Sequence, residues 1–226
     1  MKPLNVEDIR NYFIEELKNE RFTTDKTGQR TIEMLGSSFI ASEPAIFGTP
    51  NEEYIEREID WYLSGSTNIN DIYGDDRDPP AAWVYSANKH GSINSNYGRL
   101  IFDDIYYRQF ENVADELCSN GNTTRRATMV YNRPSIWTEY QEDGKNDFIC
   151  TNAVTYYIRD DKIHAVVQMR SNDVVYGYKN DYAWQLYVLD RLTEDLSGGQ
   201  QHFSPGDITW QVQNLHVYER HFDLVK

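Results

Sequence analysis

Two apolar runs split by one polar tetrapeptide constrain this chain more than any other feature. Residues 148–158 and 163–170 read as strands, and Arg159-Asp160-Asp161-Lys162 between them has hairpin length, so the runs pair. The first run opens on Asp147-Phe148-Ile149-Cys150-Thr151-Asn152, and the second ends in Arg170-Ser171-Asn172-Asp173. Pairing sets a thiol on one strand and, on its neighbour, an arginine followed by an anion-ready Ser/Asn/Asp turn. Two readings of Cys150 stand side by side: a nucleophile next to an anion-binding arginine, or an inert small hydrophobe in a strand.

Residues 51–63 (NEEYIEREIDWYL) carry a helical pattern that opens on an N-cap residue and two first-turn acids. With 3.6-residue periodicity, Tyr54, Ile55, Ile59, Trp61 and Tyr62 share one face, and Glu52, Glu53, Glu56, Arg57 and Asp60 share the other. Glu58 falls in the middle of the apolar face. Taking a carboxylate out of water is costly and raises its pKa, which marks Glu58 as a candidate general acid or base. A buried Glu paired to an arginine is the competing reading.

A chain of 226 residues can close one substantial core, and no linker, composition shift or repeat divides it, so residues 1–226 are read as a single domain. Gly74-Asp75-Asp76-Arg77-Asp78-Pro79-Pro80 is a surface loop by its chemistry. No apolar stretch is long enough to span a bilayer, and the charged N-terminal stretch is not expected to be a signal peptide. Cys118 and Cys150 lack metal-ligand spacing, which argues against a disulfide framework and a zinc site and for a reducing cytosol. The net charge of −14 disfavours nucleic acid as the main partner. The one tight basic cluster, Arg125-Arg126, suits a single phosphate monoester; a solvated turn between helix and strand is the alternative.

Helices are expected near 5–20, 51–64, 103–119 and 181–196, and strands near 30–40, 126–132, 148–158, 163–170, 207–213 and 215–220. Strict alternation would put Cys150, Asn152, Val154 and Tyr156 on one strand face. It would likewise group His164, Val166, Gln168 and Arg170, and His216 with Tyr218. Helices and strands do not alternate regularly, which predicts an α+β fold.

Several segments then fall into a known series. They are Asp25-Lys26-Thr27-Gly28, Arg57-Glu58-Ile59-Asp60-Trp61-Tyr62, Ile93-Asn94-Ser95-Asn96-Tyr97-Gly98, Arg125-Arg126 and the Cys150 segment. Met169-Arg170-Ser171-Asn172-Asp173-Val174-Val175, Asn180-Asp181-Tyr182-Ala183-Trp184 and Leu215-His216-Val217-Tyr218 complete it. In this order and spacing the chain resembles the thymidylate synthases, and within them the deoxycytidylate 5-hydroxymethyltransferase branch of phages. The resemblance implies a large mixed β-sheet flanked by helices and a homodimer joined sheet to sheet.

It also implies roles. Cys150 would add to C6 of the pyrimidine and make C5 a carbon nucleophile. The one-carbon donor would be 5,10-methylenetetrahydrofolate, and no metal is implied. Arg170 would serve the phosphate of dCMP and favour the thiolate, with Lys26 and Ser171 helping and Arg125 and Arg126 reaching in from the other subunit. Glu58 would organise water and proton transfer, and Tyr97 would assist loss of the C5 proton. His216 and Tyr218 would hold the deoxyribose hydroxyl. Trp83, Asp173 and Gly177 would line the folate side, with plain core packing the alternative for Trp83. Asp181 would read the base: thymidylate synthases carry Asn there, suited to uracil, whereas a carboxyl accepts from the cytosine amine and shares a proton with N3.

The chain departs from the synthases at Ile149-Cys150-Thr151, where they have Pro-Cys-His, and at Lys26, where they have arginine. By the resemblance, relatives would continue past the position of Lys226 into a tail that closes over the folate, which puts lid closure in this chain in question. The implied setting is the cytoplasm of an infected bacterium, in a phage nucleotide-synthesis complex, without direct contact to nucleic acid or membrane. A dUMP-directed hydroxymethylase and a methylating synthase are alternatives within the enzyme class; a nucleotide-binding complex component is the alternative outside it.

Overall fold

The Arg159–Lys162 tetrapeptide does turn the chain back on itself. Asp160 and Asp161 both take positive φ (51° and 57°), the two-residue turn whose twist matches antiparallel strands. The strands it joins run Thr151–Arg159 and Lys162–Met169, paired from Arg159↔Lys162 onward. The computed structural model describes residues 3–198 and 202–226.

In chain order the strands are β1 (Leu4–Asn5), β2 (Thr23–Thr24), β3 (Arg30–Ile40), β4 (Thr128–Val130), β5 and β6 (the hairpin strands above), β7 (Asn172–Asp173) and β8 (Ser204–Tyr218). The helices are α1 (Val6–Lys18), α2 (Glu52–Ser64), α3 (Ala81–Ser86), α4 (Tyr97–Phe102), α5 (Gln109–Asn120), α6 (Ile136–Glu139) and α7 (Gly177–Leu196). The strands form one mixed sheet ordered β1-β3-β8-β6-β5-β4, with β2 on β3 and β7 on β8. β8 runs antiparallel to β3 and parallel to β6 and β7. This is the expected α+β arrangement. No described helix is long and apolar enough to cross a membrane.

Three sequence expectations are corrected. The residues near 207–213 and 215–220 are one strand, not two, ending at Tyr218. Burial in β8 runs Ile208, Trp210, Val212 and then Leu215, Val217, so its phase slips at Gln213-Asn214, the polar pair that mimics a break. Opposite the slip, the register passes from Leu35↔Asn214 to Ser37↔Val212, and Gly36 takes φ +67° at the kink. Next, β5 carries a bulge between Thr151 and Ala153, so Thr151, not Asn152, shares burial with Val154 and Tyr156. Cys150 precedes the strand and is released from that face. Finally, the helix expected over 103–119 breaks at Tyr107 and Arg108, both left-handed (φ 67° and 46°), and α5 begins at Gln109.

Helix α2 follows its pattern. Asn51 caps it by accepting from the Tyr54 amide, and Trp61 and Tyr62 are buried on the inward face with Glu58. Across from α2 lies α4, where a Cβ on Gly98 would stand 2.0 Å from the Tyr62 carbonyl oxygen. That close approach stacks the rings of Tyr62 and Tyr97 at 5.3 Å.

Candidate active site

Cys150 is half-buried at the mouth of β5, in a loop anchored from two sides. On one side, buried Asp147 accepts from the amides of Asn94 (2.6 Å) and Ser95 (2.8 Å) and from the Ser95 hydroxyl (2.6 Å). This ties the Cys150 loop to the segment leading into α4 and Tyr97. On the other side, Arg170 donates from Nε to the Ile149 carbonyl (3.0 Å) and from Nη2 to the Phe148 carbonyl, and Nη2 lies 3.4 Å from Cys150 Sγ. Its guanidinium also covers the Phe148 ring at 5.0 Å. The arginine of the sequence reading therefore positions the loop as well as facing the thiol. Burial pushes the Cys150 thiol up to about 11, Arg170 opposes that, and Asp181 and Asp147 add to it.

Glu58 is 5% exposed. Its Oε1 accepts from the Tyr54 hydroxyl and from Trp83 Nε1 (2.9 Å), and the indole N–H also lies 3.0 Å from the Tyr54 oxygen. An aromatic clamp, not an arginine, holds the carboxyl; Arg57 pairs instead with Asp76 of the surface loop. Burial pushes Glu58 up to about 7 against the pull of the two donors. Trp83 thus serves Glu58 directly. The clamp partner missed by the sequence reading is Tyr54, one helical turn before Glu58 on the same face.

Asp181, in the second turn of α7, accepts from Asn172 Nδ2 at 2.7 Å. Burial, and then the charge of Glu58, push it up to about 8, against that donor. Its charge is felt by Cys150, Tyr97 and Tyr62, so thiol, two carboxyls and two tyrosines cluster within range of one another's charges. Tyr97 is buried, and its hydroxyl is held far above its ordinary range, so it acts as a neutral phenol.

Beside this centre, His216 and Tyr218 project together from β8, rings 4.9 Å apart, with the imidazole held below its usual range by burial. Tyr218 feels both Cys150 and Asp25, which brings the Asp25–Gly28 turn carrying exposed Lys26 to the same side. Asp173 Oδ1 accepts from the amides of Val175 (3.0 Å) and Tyr176 (2.6 Å) at the entry to α7, while its Oδ2 is buried without a partner among the described residues. Gly177 lies against Asn172: a Cβ there would meet Asn172 Nδ2 at 3.1 Å and the Asp173 Cβ at 3.4 Å. Ser171 is half-buried next to Arg170. Arg125 and Arg126 are exposed just before edge strand β4; Arg126 pairs with Glu116 (3.0 Å), and neither has a described contact with Cys150 or Arg170 of its own chain.

Comparison with known proteins gives the family and relatives within it. The thymidylate synthase family model matches residues 15–226. The deoxycytidylate 5-hydroxymethyltransferases of Enterobacteria phage T4 and Enterobacteria phage T2 are each 50% identical over 224 residues, covering 98% of this chain and 89% of the relative. A thymidylate synthase of Bacillus subtilis subsp. natto is 26% identical over 172 residues, 74% of this chain and 56% of that one.

Proposed function

The chain belongs to the thymidylate synthase family, and from that membership we propose that it is a deoxycytidylate 5-hydroxymethyltransferase. It transfers a one-carbon unit from 5,10-methylenetetrahydrofolate to C5 of dCMP and adds water, giving 5-hydroxymethyl-dCMP and tetrahydrofolate. The observation that carries this reading is the carboxyl of Asp181, held by the Asn172 amide at 2.7 Å and close enough to the Cys150 thiol and the Glu58 carboxyl for their charges to interact.

The chemistry follows from these groups. Cys150 sulfur adds to C6; the C5=C6 pair moves to C4=C5, the C4=N3 pair moves to N3, and Asp181 gives N3 its proton. C5 becomes an enamine carbon able to attack an electrophile. Burial pushes Asp181 toward its neutral form, which limits its repulsion of the developing thiolate, and Arg170 stabilises that thiolate. Methylenetetrahydrofolate supplies the electrophilic carbon. The unpartnered Asp173 Oδ2 is a buried acceptor suited to an N–H of a reduced pterin, and Trp83 stands on the same side by the family pattern. Tyr97 assists departure of the C5 proton, whose electron pair forms a double bond from C5 to the one-carbon unit as tetrahydrofolate leaves. Glu58, poised near neutrality, takes a proton from the water that adds to that carbon; C5=C6 reforms, Cys150 sulfur leaves C6 and N3 returns its proton to Asp181.

His216 and Tyr218 hold the deoxyribose, and Arg170, Ser171 and Lys26 hold the phosphate. Arg125 and Arg126 complete it from the partner subunit of a homodimer. The enzyme works in the cytoplasm of an infected bacterium, in a nucleotide-synthesis complex that feeds modified phage DNA. The test is turnover of dCMP with methylenetetrahydrofolate, products identified by mass and dihydrofolate followed by absorbance. We expect 5-hydroxymethyl-dCMP and no dihydrofolate. A methylated product with stoichiometric dihydrofolate makes the chain a synthase, and turnover of dUMP alone overturns the assignment of the base.

A further inference from the structure

Asn172 stands between two side chains that leave its amide one orientation. Trp210, fully buried in β8, points its indole N–H at Asn172 Oδ1 (3.2 Å), and Asn172 Nδ2 lies 2.7 Å from Asp181 Oδ2. An indole nitrogen only donates, so the atom facing it must be the amide oxygen. The amide nitrogen is then turned to Asp181, and it too only donates. Oδ2 must therefore be an acceptor in either protonation state, and any proton on Asp181 sits on Oδ1. Gly177 keeps this arrangement open, because a side chain there would press on the amide nitrogen at 3.1 Å. Asn172 is itself 4% exposed, so water does not compete for these bonds.

We infer that Asn172 is a specificity-positioning residue: clamped by Trp210, it confines the Asp181 proton to one oxygen and so makes the site choose cytosine over uracil. The inference rests on the proposed reading of Asp181 as the group that meets the base. Cytosine N3 is an acceptor and receives the Oδ1 proton as sulfur bonds to C6. Uracil carries N3–H, a donor that meets an O–H head on. Without Asn172 the proton can settle on either oxygen, the neutral carboxyl can turn, and an unprotonated oxygen can accept uracil N3–H. The other groups that feel the charge of Asp181 or add theirs to it are Glu58 and Tyr62 from α2, Tyr97 from α4 and Cys150 just before β5, none with a described hydrogen bond to it.

The experiment measures dCMP and dUMP binding by calorimetry on the full chain, beside a carbon NMR titration of the aspartate carboxyls in which Asp181→Asn identifies the Asp181 signal. In Asn172→Leu the dCMP-to-dUMP affinity ratio should fall about tenfold, the weight of one hydrogen bond, and the Asp181 midpoint should rise. Trp210→Phe keeps a ring in the core and removes only the N–H; the ratio should fall in the same direction by less, and this variant decides the question if Asn172→Leu does not fold. A merely structural Asn172 would weaken both nucleotides alike and leave ratio and midpoint unchanged, which overturns the inference. Wild-type protein without a preference for dCMP would instead sink the proposed substrate, while the carboxyl titration would still judge the clamp.

Discussion

Glu58 is held at the edge of ionisation by opposing forces: burial resists its charge, and the Tyr54 and Trp83 donors favour it. Its folded pKa of about 7 lies above the ordinary 4.5, so the fold prefers the protonated form and loses stability as pH rises through that interval. Glu58→Gln cannot ionise. It should match wild type in urea unfolding at pH 4 and exceed it by roughly 3 kcal/mol at pH 9, while losing hydroxymethylation. A wild-type advantage at pH 9 would show that the clamp outweighs burial and that Glu58 is a structural anion. Asp181 has the same sign, so the Gln variant should retain part of the alkaline decline. Residues of this kind are legible in a sequence when they break a pattern, as Glu58 breaks the apolar face of α2. Asn172 breaks none. Its meaning depends on Trp210, 38 residues away, and on which way an amide is turned, and neither has a local signature.

Element by element, local chemistry was legible wherever the chain obeys one period. The β5–β6 turn and the α2 helix are such places. It failed where tertiary geometry resets the phase: the Thr151–Ala153 bulge that frees Cys150, the slip at Gln213-Asn214, and the left-handed pair Tyr107-Arg108 that cuts a helix short. Two substitutions test opposite kinds of element control. Asp160 and Asp161 hold positive φ without being glycine, so Asp160→Asn with Asp161→Gly should raise stability by about 1 kcal/mol in chemical denaturation and leave turnover unchanged. Gly98→Ala would put a methyl 2.0 Å from the Tyr62 carbonyl and force α2 from α4. Unfolding should ease by about 3 kcal/mol, and turnover should fall with it, because α2 carries Glu58 and α4 carries Tyr97. Unchanged turnover in a destabilised Gly98→Ala protein would mean that the α2–α4 contact does not set the cavity.

On the scale of the whole molecule, the outer face of the sheet poses a problem that one chain does not solve. The register aligns Thr128, Thr155, Val166, Thr209 and Ile40 across five strands, all half-buried and uncharged, with half-exposed Ala153 and the more exposed Val130 in the adjacent row. An uncharged row running across five strands is suited to a second sheet. Arg125 and Arg126 sit at the edge of that face without a role in their own chain's cavity, as a phosphate site shared between subunits requires. Mixing Cys150→Ala subunits with Arg126→Glu subunits, each inactive, tests the arrangement. In a mixed dimer one cavity combines the intact thiol of one chain with the intact arginine of the other, and the second cavity lacks both. Random exchange should restore about a quarter of wild-type activity, since half the dimers are mixed and each has one working site of two. Adding Val166→Arg to both chains buries unpaired charge in the seam, so it should yield monomers in sedimentation and abolish the recovery. No activity from subunits shown to have exchanged would assign each arginine to its own chain, and recovery that survives Val166→Arg would move the interface off this face of the sheet.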